Sequence, residues 1–287
     1  MIDRRAFLTG AAAVPFAGRV ATATAAGAPA AKQEIVLRGR ALAVAGRHVV
    51  VAHDRRHTIA VDRRVVDVGG YPVDVAISAD GRLAAVTTGF WDAPALVLVD
   101  VAKASVLGRV DVGPAPGAVA FTGKRRILVA GGEQEGHAYV VDARRRAVVS
   151  SRPIGLVPRG VAAGWIALAG EDKLVHVRGR TLNTPALPDR VALSPDGRTL
   201  LVSHQHSEYV SLIDVKTRKV TRRRAGRLPS GVAFTRAGKP VVALPGAIKV
   251  LGGKRHKTVA APRGLTVVGR RAFTVDDLTG RVAKVKL

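Results

Sequence analysis

Pro188–Val220 reads PDRVALSPDGRTLLVSHQHSEYVSLIDVKTRKV, and its punctuation decides the fold. Val191–Leu193 is a short apolar run that ends at the turn Pro195-Asp196-Gly197. Thr199–Ser203 is a second run, and a polar loop, His204–Glu208, separates it from a third, Tyr209–Ile213. A charged turn, Asp214–Arg218, leads to a last strand near Val220. Short β-branched runs broken by Asp-Gly and charged turns are the pattern of consecutive antiparallel strands, not of helix.

The same unit recurs along the chain. A proline stands just ahead of a small or β-branched run at Pro72 (PVDVAIS), Pro116 (PGAVAFT), Pro158 (PRGVAAG), Pro229 (PSGVAFT) and Pro262 (PRGLTVV), and a proline-free version begins near Ala41 (ALAVAG). Starts fall roughly 30 to 44 residues apart, the period of four-stranded propeller blades. The runs are apolar on both faces, as a blade sandwiched between two others requires. Seven starts imply an all-β, seven-bladed propeller occupying residues 33–287 as one domain. From Pro262 to Leu287 only three strands fit, so Gln33–Leu37 is expected to supply the outer strand of the last blade and close the ring.

The repeat Pro-x-Gly-Val-Ala, Ser-Pro-Asp-Gly-Arg, Leu-x-Val, Val-x-x-Ile-Asp resembles the YVTN-type β-propeller repeat family, most closely at Pro72–Gly113 and Pro188–Val220. The Asn that ends the family's second strand is replaced here by His53, Thr88, Gly131, Gly170 and His204, so no role tied to that Asn carries over. The resemblance implies the fold. Relatives range from surface proteins to lactonases, lyases and quinoprotein subunits, so it leaves the activity open.

The first 26 residues differ in kind. Asp3-Arg4-Arg5-Ala6-Phe7-Leu8 resembles the twin-arginine export motif, followed by a short apolar stretch and small-residue sites such as Ala21-Thr22-Ala23. That is the layout of a cleavable signal, with Arg4 and Arg5 as its address. The stretch is too short to span a bilayer. The mature protein is expected to be exported folded, to the periplasm, envelope or exterior, as a monomer without a transmembrane segment. The chain has no cysteine, which excludes disulfides, thiolate metal sites and a lipoprotein anchor. With 47% hydrophobic but only 4% aromatic residues, the core must be built from Val, Ala and Leu.

Propeller topology sorts the loops. Connections between blades, and between second and third strands, share one face, the usual ligand face. That face gathers His53, His57, Glu171, Asp172, His204, His206, Glu208, Asp276 and Asp277, with Arg159 and Arg263 at the blade entries near the axis. In extended backbone His204 and His206 point to one side, which is half a metal site, but no neighbouring blade offers a third histidine. No metal or cofactor is therefore expected. The paired carboxylates Glu171-Asp172 and Asp276-Asp277 should splay apart, and Arg159 and Arg263 are candidates either for an anion-binding mouth or for bracing the neighbouring blade. No catalytic signature is found.

The opposite face should collect Arg125, Arg126, Arg144, Arg145 and Arg146 with many other basic residues, including Arg47, Arg63, Arg198, Lys216 and Lys257. A net charge of +25 would also suit nucleic acid, but the expected export and the lack of interleaved aromatics argue against it. The reading is a binding or scaffold module for an anionic envelope polymer or a protein partner. The alternative is a hydrolase or lyase working on the histidine-bearing face.

Overall fold

The computed structural model describes residues 39–53, 57–89, 93–132 and 135–287. The signal with Arg4 and Arg5, the strand Gln33–Leu37, and Asp54, Trp91, Asp92 and Glu133 lie outside the described residues, as does the side chain of His53.

Seven antiparallel sheets follow one another along the chain. Blade 1 is β1 (Gly39–Ala45), β2 (His48–His53), β3 (Thr58–Val61) and β4 (Arg64–Asp67). Blade 2 is β5 (Pro72–Ile77), β6 (Leu83–Thr88), β7 (Ala95–Asp100) and β8 (Ser105–Val110). Blade 3 comprises β9 (Pro116–Phe121), β10 (Arg126–Gly131), β11 (Gly136–Asp142) and β12 (Ala147–Gly155). Blade 4 comprises β13 (Pro158–Ala162), β14 (Trp165–Leu168), β15 (Lys173–His176) and β16 (Thr181–Asn183). Blade 5 holds β17 (Pro188–Leu193), β18 (Thr199–His204), β19 (Tyr209–Asp214) and β20 (Val220–Arg224). Blade 6 holds β21 (Gly231–Phe234), β22 (Pro240–Leu244), β23 (Ala247–Val250) and β24 (Arg255–Lys257). Blade 7 has three described strands, β25 (Pro262–Val268), β26 (Arg271–Asp276) and β27 (Val282–Lys286).

The protein is a seven-bladed β-propeller. Each inner strand touches the inner strand of the next blade, and β25 touches β1, so the ring is closed. The core is accordingly divided into seven apolar seams, one per blade boundary. Alternation along each strand sends neighbours to opposite seams: Ile127 and Val129 of β10 face blade 2, while Leu128 and Ala130 face blade 4. This is why the second strands read as unbroken apolar runs. They are buried on both sides, as β18 shows with five consecutive buried residues, Leu200 to His204.

Two local devices place the site. Several inner strands carry a bulge near their start: Pro72 pairs with Thr88 but Asp74 with Thr87, and the same shift occurs between Pro188 and Val191 and between Arg263 and Thr266. The outgoing turns of blades 2 and 5 are Ser-x-Asp-Gly units. Ser194 Oγ donates to Asp196 at 2.6 Å, Asp196 accepts the Arg198 amide at 3.0 Å, and Gly197 sits at φ 71°. Only glycine adopts that conformation without strain.

Candidate functional site: the axial mouth and the two loop faces

The structure sets the sequence candidates in three places. His204 is only 3% exposed. Its Nδ1 meets the Ala186 carbonyl at 3.1 Å and its Nε2 meets Ser211 Oγ at 2.8 Å. Burial holds its pKa below the ordinary histidine value, against the opposing pull of the Ala186 carbonyl. His206 is exposed and takes φ 56° in the turn after β18, so no extended backbone aligns it with His204. His57 is exposed and stands edge-on to the Tyr71 ring, centroids 4.7 Å apart. Among the described residues, no group of three or more His, Asp or Glu converges as metal ligands.

The ligand-face acids do splay apart, and each has a job. Glu171 accepts the Leu156 amide at 2.8 Å and sits 3.3 Å from Lys173 Nζ, while Asp172 accepts the Leu187 amide at 2.8 Å. Thus one loop clamps the linkers on both sides of blade 4. The Leu156 amide is the chief reason that Glu171 lies below the usual carboxylate range. Asp276 is 3% exposed; it accepts the amides of Leu278 and Thr279 at 3.0 and 2.8 Å and of Ala261 at 3.2 Å. Burial pushes Asp276 up, but these amides outweigh it and hold the carboxyl low. Asp277 instead pairs with Arg263 at 3.3 Å. Glu208 receives Arg224 through Nε at 3.1 Å and Nη2 at 2.8 Å.

Charged residues also stand at the blade entries around the axis. Arg263 and Arg159 are exposed there, as their place after Pro262 and Pro158 implies. Two further residues were not singled out from the sequence: Asp74 and Arg190, each two positions after its blade's opening proline. Asp74 accepts its own Val75 amide at 2.9 Å and, across the blade boundary, the Val119 amide at 3.0 Å. Burial among the inner strands raises its pKa, opposed by the fields of Arg190 and Arg263 and by those two amides. Arg190 is anchored by its backbone amide to Ser203 Oγ at 3.1 Å, and Asp189 stands 3.8 Å from its Nε. That Nε is buried and has no hydrogen-bond partner among the described residues. A signal was present: the same position is Ala118, Gly160, Gly231 and Gly264 in blades 3, 4, 6 and 7. A Cβ on Gly160 would come within 2.4 Å of the Asp189 carbonyl, which explains the preference for small residues. Charged residues at this position are therefore a departure from the repeat.

The other face is basic. Arg47, Arg63, Lys124, Arg125, Arg126, Arg144, Arg145, Arg146, Arg178, Arg218, Lys239 and Arg270 are all exposed in its turns. Lys257 is a correction: it pairs with Ala247 at the far end of β24 and so belongs to the ligand-face side. The basic face also holds acids, but they point at backbone. Asp80 accepts the Arg82 amide at 3.1 Å, Asp100 that of Lys103 at 2.9 Å, Asp142 those of Arg144 and Arg145 at 2.9 and 3.0 Å, and Asp214 that of Lys216 at 3.0 Å. Each turn aspartate grips the main chain of a basic residue whose side chain projects into solvent. An open cleft of about 480 Å³ on this face lies between blades 5 and 6, lined by Asp196, Leu212, Phe234 and Arg236 among others.

No family model matches the chain. Hydrazine synthase subunit beta of Kuenenia stuttgartiensis is 33% identical over 100 residues, covering 33% of this chain and 25% of that one. The chain thus spans about a quarter of the length of this curated relative. The solved structure of Kuenenia stuttgartiensis hydrazine synthase superposes with a TM-score of 0.52 at 17% identity, over 87% of this chain and 83% of that chain. At that identity the likeness is one of fold. No helix among the described residues is long and apolar enough to cross a membrane.

Proposed function

We propose that the protein is an exported propeller of the YVTN type that acts as a binding module, its basic face engaging an anionic cell-envelope polymer or surface. The observation that carries this reading is the set of turn aspartates. By accepting the amides of Arg82, Lys103, Arg144, Arg145, Arg198 and Lys216, they fix the turns and leave those side chains exposed. An array of cations on fixed turns loses less main-chain freedom on binding than a flexible basic tail, and it attracts polyanions with a strong salt dependence. The name of the similar Kuenenia protein, a subunit, supports a second reading in which the partner is a protein; the basic face would suit an acidic one. The hydrolase or lyase reading has no comparable support, because His204 is occupied on both nitrogens.

The test is binding of the purified protein to vesicles of anionic lipid and to anionic wall extract at rising salt. Retention near 0.05 M salt should vanish by ~1 M, where the screening length is about 3 Å. Arg144→Ala with Arg145→Ala and Arg146→Ala should weaken it without loss of fold. Binding that persists unchanged at high salt would sink the proposal. Export is tested separately, by Arg4→Lys with Arg5→Lys, which should abolish secretion.

A further inference from the structure

A second cleft opens between blades 7 and 1, where the ring closes. Its volume is about 370 Å³. Ligand pockets run from roughly 300 to 1,000 Å³, so it has room for one small molecule. Arg47 of the β1–β2 turn, Arg271 of β26 and Lys284 of β27 line it, together with the apolar side chains of Val44, Val49, Phe273 and Val282. Strand register explains why they meet. Phe273 pairs with Lys284 and Val275 with Val282, so alternate residues of β26 and β27 share one face of the sheet. That face looks at blade 1, because Phe273 and Val275 pack with Leu42, Val44 and Val49.

The three cations are exposed, and among the described residues no acid lines the cleft or pairs with them. Asp62 of blade 1 is engaged elsewhere: its Oδ1 accepts the Val49 amide at 2.8 Å and its Oδ2 meets His48 Nδ1 at 2.5 Å. The floor is wet as well as apolar, with Val282 37% exposed and Phe273 only half-buried. The larger cleft between blades 5 and 6 differs, since Asp196 lines it as well as Arg236.

We propose that the cleft between blades 7 and 1 binds an aromatic carboxylate. The guanidinium forks of Arg47 and Arg271 match its two oxygens, and Lys284 adds a third positive charge. The ring of the ligand displaces water from Phe273 and Val282. An inorganic anion satisfies only the cations and a neutral aromatic only the floor, so the two together define the ligand. This site needs neither export nor the Arg144–Arg146 turn, and so stands apart from polymer binding.

Calorimetric titration of the purified protein with naphthoate, octanoate, inorganic phosphate and naphthylmethylammonium tests this. Naphthoate should bind more tightly than the other three. Arg271→Gln should weaken it roughly tenfold, the loss of one charge-assisted contact. Phe273→Leu, which keeps an apolar side chain in the seam, should weaken it several-fold by removing the ring. Arg144→Ala with Arg145→Ala and Arg146→Ala should bind naphthoate as the wild type does, even as its hold on vesicles and wall extract falls, so the two readings fail separately. No naphthoate binding at millimolar concentration, or unchanged binding in Arg271→Gln, overturns the site. Phosphate or naphthylmethylammonium binding as tightly as naphthoate overturns the ligand class, and octanoate doing so overturns the aromatic assignment. Should Phe273→Leu fail to fold, Arg271→Gln, at an exposed position, decides alone.

Discussion

In blade 2, Ser78 donates to Asp80 at 2.6 Å, the Leu83 amide reaches Ser78 Oγ at 3.0 Å, and Gly81 sits at φ 72°. In blade 5, Ser194 donates to Asp196 at 2.6 Å, the Thr199 amide reaches Ser194 Oγ at 2.9 Å, and Gly197 sits at φ 71°. The inner strands share one burial pattern and so do the second strands. At the ligand-face end the two blades part in chemistry: Asp74 stands opposite in charge to Arg190, and Thr88 is replaced by His204. The repeated turns fix the blade, and the charge departures lie at its ligand-face end.

The largest test of that division is in the core. Leu200 of β18 occupies the place of Ala84 in β6, yet neither site has room to adapt, since both are fully buried against their own neighbours. Leu200→Ala should cost about 2–5 kcal/mol in chemical denaturation, although blade 2 is built with Ala at the same position. A cost under about 1 kcal/mol would mean that the blades are interchangeable in packing as well as in turns.

Next in size is His204. Its burial and two hydrogen bonds make His204→Ala cost about 2–3 kcal/mol, not the small effect of a loop histidine. Its pH signature differs in sign from that of its twin blade. His204 has a depressed folded pKa, so its share of stability is complete above the unfolded value near ~6.5 and is lost as pH falls. Asp74 has a raised one, so its share is present below the unfolded value near ~3.9 and is lost as pH rises through the folded value. Denaturation curves across pH should show His204→Thr flattening the neutral-to-acid slope and Asp74→Asn flattening a slope of opposite sign. Equal slopes in both variants would remove the contrast.

Smaller still, Ser78→Ala and Ser194→Ala should each cost about 1 kcal/mol, and by similar amounts, because each loses one donor bond and one acceptor bond in the same turn. Unequal costs would break the pairing of the two turns. The smallest effect is Arg190→Gln, expected within about 0.5 kcal/mol of wild type in stability, since its ion pair with Asp189 is loose at 3.8 Å and partly exposed.

The propeller was legible in the sequence because propeller strands obey short-range rules. Pro195-Asp196-Gly197 announces a turn on its own, and Leu200–Ser203 announces a doubly buried strand. Even blade 4, whose repeat is worn, kept its four strands because Trp165–Leu168 is apolar on both sides. The site was legible only in part. Arg159 and Arg263 were placed by their prolines, but Asp74 and Arg190 were passed over because each looks like an ordinary charged residue beside a strand. Only the ring brings residues from blades 2, 5 and 7 around one axis. The histidine spacing misled for the opposite reason: the chain turns after His204, and the Ser211 hydroxyl and Ala186 carbonyl that occupy its ring are invisible from its neighbours in sequence.

The seam between blades 1 and 2 has a mechanical meaning. It is filled by Val50, Ile59, Val86, Val97 and many other fully buried side chains. A ring opens last at a well-filled joint, so under heat or force these two blades should stay together. The amides of β2, β3, β6 and β7 should be among the slowest in the protein to exchange with solvent.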